Sequence, residues 1–262
     1  MKKYNKIGFI GCGKMAGAII RGIKGNGFEI MASKLSPENL EETSKKLGVE
    51  ITLDNKFLVQ NSEVIFLAVK PNQVESVLEE VKDFITPEKL IVSVAAGVTI
   101  GFIKNIINSN RVVRVMPNTP VLVGEGMSGI CGENEDDINY IKSLMESIGK
   151  CVVVDESQID IVTAISGSGP AFFYKVINDI ARAGEKLGLD YEKSLMLSIQ
   201  TAIGSAKMAL NREISMEELI SNVATKGGCT RVGVDVMEEV NTENIFYEVI
   251  KDTAEKAKAL GK

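Results

Sequence analysis

The segment Asn222–Thr230 holds the residues whose types and spacing say most about chemistry: Gly227 and Gly228, followed by Cys229 and Thr230. Glycine reaches backbone angles that other residues avoid and lets a ligand approach the main chain directly. Successive exposed amides form a concave site for anions, and Thr230, which opens a predicted helix, adds a hydroxyl. The pattern predicts a cradle for a small anion. The alternative is an ordinary connection between helices.

The 262 residues include no histidine. This excludes Ser-His and Cys-His nucleophile pairs, histidine proton shuttles and nearly all zinc catalysis. The four cysteines form no CxxC pair, so we expect neither a metal site nor a disulfide framework, and a reducing cytoplasm fits.

A glycine pattern near the start of the chain predicts a dinucleotide site. Gly11, Gly13 and Ala16 follow the predicted strand Lys6–Ile10 and open a helix. Gly11 permits the tight turn, Gly13 leaves room for a pyrophosphate, and Ala16 lets helix and strand pack closely. The helix N-terminus supplies amides and the positive end of its dipole.

The second strand ends in Ser33 and Lys34, where an NAD enzyme usually presents a carboxylate to the ribose. A hydroxyl and a cation suit a 2′-phosphate, which favours NADP, although use of both cofactors stays open. The alternative for Lys34 is a solvated surface charge. Two further strand ends, Ala68–Pro71 and Ala95–Gly97, lie where the nicotinamide half is expected, because ligands bind outside the carboxyl ends of strands.

The order of predicted elements indicates an α/β fold, a Rossmann-type, mostly parallel sheet with helices on both faces, followed by an all-helical region. We expect a dinucleotide-binding domain over 1–159 and a helical domain over 160–262. The predicted strands are Lys6–Ile10, Phe28–Ala32, Glu63–Val69, Leu90–Ala95, Arg111–Met116 and Cys151–Val154.

Besides the helix that Thr230 opens, four helices are predicted beyond residue 160. Their limits are Pro170 to Leu187 with Gly188 as C-cap, Asp190 as cap to about Leu210, a third capped by Ser215, and Thr242 to Gly261. The second is apolar around much of its circumference, so it must be buried on all sides. We infer intertwining with a second subunit. The alternative is a compact helical domain.

Composition excludes other classes. The net charge of -5 and the lack of a dense basic block argue against nucleic-acid binding. The uncharged run Leu90–Ile103 is shorter than the roughly 20 residues of a membrane span. Lys14 interrupts the first apolar run, so we expect no secretion signal and a cytoplasmic location.

Several ordered motifs resemble the pyrroline-5-carboxylate reductase family. They are Ala68–Pro71, Ala95–Thr99, Arg114–Pro120, Ser166–Tyr174, Ala181–Leu189, Gly204–Met208 and Gly227–Thr230, and they cover nearly the whole chain. The resemblance implies a helical dimerisation domain, homodimers that build larger assemblies, and NAD(P)H-dependent reduction of a cyclic imine to proline.

The resemblance also implies roles for individual residues. The substrate-binding residues would be Gly228, Cys229, Thr230 and, as a neighbour, Glu156, with Thr230 as the catalytic residue. The cofactor-binding residues would be Gly11, Cys12, Gly13, Lys14, Met15, Ser33, Asn55, Ala68, Val69, Lys70, Pro71, Ala95, Ala96, Gly97 and Asn222. The end of the second strand adds Lys34 to this set, because its charge suits a 2′-phosphate.

Two positions depart from the family pattern. Lys226 stands where proline is usual, which makes the loop less rigid and adds a cation. Arg231 and the run after it replace an apolar, alanine-rich continuation.

A mechanism follows as a hypothesis. An imine can be protonated before it binds, so the enzyme needs no strong acid. Amides around Gly228–Thr230 would hold the substrate carboxylate, while the Thr230 hydroxyl bonds the ring nitrogen; most of the rate would come from positioning.

Two alternatives remain. A β-hydroxyacid dehydrogenase would use a lysine with an asparagine three residues on, a spacing that Lys175 and Asn178 have. A protein that senses NADP without turnover is the other.

Overall fold

A computed structural model describes residues 4–107, 109–211 and 213–260. The chain forms two compact units. The first runs to Ser168 and includes the segment from Lys251 onward; the second is Gly169–Ile250.

The strands and helices alternate up to residue 168, and only helices follow. The strands are β1 Lys6–Ile10, β2 Glu29–Ser33, β3 Glu50–Thr52, β4 Val64–Leu67, β5 Leu90–Ser93, β6 Val112–Met116, β7 Gly126–Gly132 and β8 Gly149–Val153. The helices of the first part are α1 Lys14–Ile23, α2 Leu40–Leu47, α3 Asn55–Gln60, α4 Val74–Val81, α5 Ile100–Ile106, α6 Glu135–Met145 and α7 Ile159–Val162. The later helices are α8 Gly169–Lys186, α9 Tyr191–Ala209, α10 Met216–Val223, α11 Cys229–Glu239 and α12 Thr242–Ala259.

One sheet organises the first unit, with strand order β3-β2-β1-β4-β5-β6-β7-β8 in the described residues. All neighbours are parallel except β6 and β7. Because β1 lies between β2 and β4, the chain leaves β1 in opposite directions on its two sides, and a crevice opens at the carboxyl ends of β1 and β4. The predicted fold class is confirmed; β1 has the predicted limits, and the limits of the other predicted strands agree within two residues.

Two strands are absent from the sequence prediction. β3 has only three residues, too few for a recognisable pattern. β7 contains Gly126, Gly129 and Gly132, a composition that disfavours a strand assignment. The fold needs small residues there, because a Cβ on Gly129 would lie 2.5 Å from a side-chain carbon of Val162.

The central strands β1, β4, β5 and β6 are buried on both faces, between two hydrophobic cores. Alternate residues of β1 point to opposite sides: Phe9 belongs to the core formed with α1 and α6, and Ile10 to the core formed with α3, α4 and α5. Burial on both faces explains why the central strands read as continuous apolar runs.

The helical unit is built on the antiparallel pair α8 and α9. A Cβ on Gly184 of α8 would lie 2.6 Å from Ser194 Oγ of α9, so the two helices meet closely. Asp190 caps α9 as predicted and accepts a hydrogen bond from Lys193 N at 3.1 Å. α12 starts at Thr242 as predicted, while its predicted end at Gly261 lies outside the described residues.

Burial of α9 on all sides does not occur within one chain. Met196 is 73% exposed and Met208 63% exposed. This exposed apolar surface is the one for which the sequence predicts contact with a second subunit. Among the described residues no helix is long and apolar enough to cross a membrane.

Candidate functional site

The dinucleotide loop lies at the crevice between β1 and β4. Gly11 has φ +94°, and a Cβ there would lie 2.7 Å from Ala68 O, so the turn requires glycine. A Cβ on Gly13 would meet nothing within 4 Å. The backbone at Gly13 is therefore open to a ligand, and Ala16, fully buried, packs the helix against the sheet.

The N-terminus of α1 fits a phosphate. Its cap residue, Gly13, has no side chain to occupy the first amides, and the first turn contains no acidic residue. Lys14 is exposed beside it. Cys12 and Met15 pack against the first core, and burial raises the pKa of the Cys12 thiol despite nearby Lys34.

The Ser33 hydroxyl, at the end of β2, links the dinucleotide loop to the start of α3. It is buried, donates to Asn55 Oδ1 at 2.6 Å and accepts from Gly11 N at 3.3 Å. Asn55 donates in turn to Glu80 Oε2 at 2.9 Å. Three residues of the expected cofactor set are thus brought together. The Ser33 hydroxyl donates its one hydrogen to Asn55, whereas the neighbouring Lys34 ammonium donates to two acceptors within the described residues and has a third N–H.

The two expected nicotinamide turns follow neighbouring strands, β4 and β5. Ala68 N donates to Ile10 O at 2.8 Å, which joins the first turn to the end of β1, and its remaining members, Val69, Lys70 and Pro71, lead into a short 3₁₀ helix. In the second turn Ala95 N donates to Ser93 Oγ at 3.3 Å, and Gly97 has φ +75°. Ala96 lies between them, half-buried.

Glu156 belongs to a partly buried charge cluster beside the Gly97 turn. Glu156 Oε1 accepts from Ile100 N, at the start of α5, at 2.7 Å, and from Arg114 Nη1 at 3.1 Å. The Arg114 side chain is 5% exposed and also lies 3.8 Å from Asp160 Oδ1. These residues border a cavity of about 740 Å³ together with Gly97. Glu156 thus braces the backbone that leaves the expected nicotinamide turn.

The sequence predicts no separate role for Arg114, although this residue belongs to the motif Arg114–Pro120. The available signal was a charged residue in the middle of the apolar run of β6. A charge in such a strand needs a partner.

Asn118 was likewise unassigned. Its side chain donates to Ser166 O at 3.2 Å and accepts from Met127 N at 2.9 Å. It thereby fixes the π-helical segment Thr163–Gly167, which leads into α8.

The Gly-Gly loop forms the uncapped N-terminus of α11. Gly227 has φ +78°, and Gly228 is the N-cap without a side-chain hydrogen bond. Gly228 N donates to Thr225 O at 3.0 Å, so this amide is used inside the loop. The amides of Cys229 and Thr230 lie in the first turn of an eleven-residue helix, with the exposed Thr230 hydroxyl beside them.

The two positions that depart from the family pattern, Arg231 and Lys226, differ in their surroundings. Arg231 is tied along α11 by Asp235 at 2.6 Å and Glu238 at 2.7 Å, so its charge is compensated within the helix. Lys226 is exposed. Asn222 lies in the last turn of α10 and is exposed, in the same unit as the loop.

The lysine and asparagine of the dehydrogenase alternative are not directed at each other. Lys175 Nζ donates to Asp179 Oδ1 at 2.6 Å on the surface of α8. Asn178 Oδ1 accepts from Tyr191 Oη at 3.0 Å. No group of three metal-ligating side chains occurs among the described residues.

A doubly wound sheet with an open glycine loop at its switch point, followed by a helical unit, defines a dinucleotide-dependent oxidoreductase. Residues 156–260 match the family model "Pyrroline-5-carboxylate reductase dimerisation", and residues 6–97 match "NADP oxidoreductase coenzyme F420-dependent". Pyrroline-5-carboxylate reductase from Methanosarcina acetivorans is 38% identical over 98% of each chain. The chain belongs to the pyrroline-5-carboxylate reductase family.

Solved structures agree with this assignment. Pyrroline-5-carboxylate reductase from Coxiella burnetii superposes with TM-score 0.92 at 36% identity, covering 99% of this chain and 100% of that one. Pyrroline carboxylate reductase from Plasmodium falciparum, solved with NADP bound, gives TM-score 0.86 at 33% identity and covers 98% of each chain.

Proposed function

We propose that this protein reduces 1-pyrroline-5-carboxylate to L-proline, the last step of proline biosynthesis, with NADPH preferred and NADH also accepted. The observation that carries the proposal is the Gly-Gly-Cys-Thr loop at the uncapped N-terminus of α11. In a family member with an open dinucleotide loop, such a terminus suits a substrate that carries a carboxylate.

The loop residues would bind the substrate at both of its polar ends. The amides of Cys229 and Thr230 donate to the carboxylate, and the Thr230 hydroxyl accepts from the protonated ring nitrogen. Gly228 shapes the turn, because its own amide is bound to Thr225 O.

NADPH supplies the hydride when it is bound. The segment from Cys12 to Met15 would lie at its pyrophosphate. The other residues that would hold it are Gly11, Ser33, Lys34, Asn55, Ala68 to Pro71, Ala95 to Gly97 and Asn222. An iminium carbon that accepts a hydride gives a secondary amine that keeps the proton already on nitrogen. The chain therefore needs no acid at this step, which agrees with the absence of histidine.

The proposal also covers the domains, the cellular location and the assembly of the protein. Residues 1–159 would form the dinucleotide domain and 160–262 the substrate and dimerisation domain, in cytoplasmic homodimers that build larger assemblies. The exposed apolar face of α9 supports an association between copies.

One assay separates this function from its alternatives. NADPH oxidation is followed with 1-pyrroline-5-carboxylate, and NADP reduction is followed with small 3-hydroxyacids. We expect turnover only with the imine. Turnover only with hydroxyacids would favour the dehydrogenase alternative, and tight NADPH binding without turnover would favour a sensor.

Substitution of Thr230 tests the mechanism. Loss of one such polar contact costs about 1–3 kcal/mol, so Thr230→Ala should lower kcat/KM roughly ten- to a hundredfold. Thr230→Ser keeps the hydroxyl and should retain most activity. An unchanged kcat/KM in folded Thr230→Ala would remove this residue from the mechanism.

A further inference from the structure

The Lys34 ammonium is held by two acceptors beside the dinucleotide loop. Lys34 Nζ donates to Glu38 O at 2.7 Å and to Thr43 Oγ1 at 3.2 Å. An ammonium has three N–H donors. Within the described residues two donors are used by these acceptors, and the third remains for a ligand.

Thr43 is itself fixed in one orientation. Its hydroxyl donates to Asn39 O at 2.7 Å, one helical turn earlier in the chain, so its hydrogen is committed and its lone pairs can accept from Lys34. Asn39 has φ +54°, in the left-handed region that asparagine tolerates better than most residues. The beginning of α2 is thus shaped to place one hydroxyl oxygen against one lysine.

The surroundings are cationic. A cleft of about 390 Å³ runs from Gly13 along α1 and α2. Four basic residues and one acidic residue line it: Lys14, Arg21, Lys34, Lys46 and Glu42. A ligand group that carries two negative charges is favoured in such a cleft.

We propose that Thr43 is a positioning residue for cofactor selection. It orients Lys34 toward the 2′-phosphate of NADPH and so sets the preference for NADPH over NADH. This inference rests on the proposed use of NADPH. Thr43 and Lys34 would distinguish NADPH from NADH. The Ser33 hydroxyl does not, because it donates its hydrogen to Asn55.

The first test replaces the hydroxyl of Thr43 by a methyl group. Thr43→Val keeps the branched shape, and the loss of one hydrogen bond to the ammonium should lower kcat/KM for NADPH by roughly two- to tenfold. The value for NADH should stay unchanged, because NADH lacks the 2′-phosphate. Thr43→Ser restores the acceptor and should restore the NADPH value.

The second test compares two variants, each of which removes one positive charge from this surface. Lys34→Met should lower kcat/KM for NADPH by roughly ten- to a hundredfold, since a hydrogen bond between charged groups is lost. Lys45→Met is the matched control, because Lys45 is an exposed residue of α2 that does not line the cleft. It should leave the ratio of NADPH to NADH activity unchanged.

Binding measurements keep this proposal separate from the enzymatic one. NADPH and NADH are titrated by their fluorescence without substrate, and 2′,5′-ADP is compared with ADP as a competitor. Selective weakening of NADPH and 2′,5′-ADP in Thr43→Val supports the inference even if no imine is reduced. Equal weakening of both cofactors, no change in either, or failure of Thr43→Ser to restore binding would overturn it.

Discussion

Glu156 provides a direct test of whether a residue expected beside the substrate instead supports the backbone. Glu156→Gln keeps the size of the side chain and an oxygen for Ile100 N, but it removes the charge that lies 3.1 Å from the Arg114 guanidinium. The guanidinium is then left with Asp160, 3.8 Å away.

The magnitude follows from burial. Removal of one partner from a fully buried ion pair costs about 3–5 kcal/mol. The Arg114 side chain is 5% exposed but that of Glu156 is 34% exposed, and Asp160 remains. We therefore expect a smaller loss, about 1–2 kcal/mol, which corresponds to a fall in Tm of roughly 2–8 °C for a chain of this size.

The assay combines thermal unfolding with steady-state kinetics. Because Glu156 braces the start of α5, next to the Gly97 turn, we expect Tm to fall and the KM for NADPH to rise more than the KM for the imine. Glu255→Gln is the control, since Glu255 borders the same cavity and is exposed. It should leave both Tm and KM unchanged.

The opposite pattern would refute this reasoning. A Glu156→Gln variant with the Tm of the parent and a KM for the imine raised tenfold or more would make Glu156 a direct substrate contact.

Three further predictions concern the first unit. Gly11→Ala places a methyl group 2.7 Å from a backbone oxygen at φ +94° and should weaken NADPH binding by roughly ten- to a hundredfold in a fluorescence titration, whereas Gly25→Ala, with open space around it, should not. Asp137→Asn breaks the ion pair with Arg111 and should lower the free energy of unfolding in urea by roughly 2–4 kcal/mol while kcat/KM is retained; an unchanged midpoint would contradict this. Burial raises the pKa of Cys131 to about 12, so this thiol stays protonated at pH 8 and should resist iodoacetamide until the protein is unfolded, as peptide mass mapping would reveal.

The sequence was informative where a short segment determines its own geometry. Gly11 and Gly13 could be interpreted from local spacing, and Asp190 from its place before a helical pattern, because each feature depends on neighbours within a few residues. The exposed apolar face of α9 could be anticipated for a related reason: helical periodicity shows how much of a helix is apolar, whatever covers it.

The remaining features depend on residues distant in sequence. The sequence predicts Ser33 at the cofactor, but it does not show that the Ser33 hydroxyl donates to Asn55, 22 residues further along. The pairing of Arg114 with Glu156 spans 42 residues and depends on where β6 and the segment after β8 meet. The sequence does not predict β7, because its glycines have no strand preference of their own; the close approach of Val162, which requires Gly129, is visible only in the fold.

The segment from Lys251 onward belongs to the same compact unit as the sheet, although 82 residues of helical unit, Gly169–Ile250, are inserted before it. Because synthesis proceeds from the N-terminus, the sheet can form early, but the cavity wall contributed by Ala254 and Lys258 is added only after the helical unit has been synthesised. Premature termination just before Lys251 would therefore cut α12 within its length and deprive the earlier unit of the residues that complete this cavity wall.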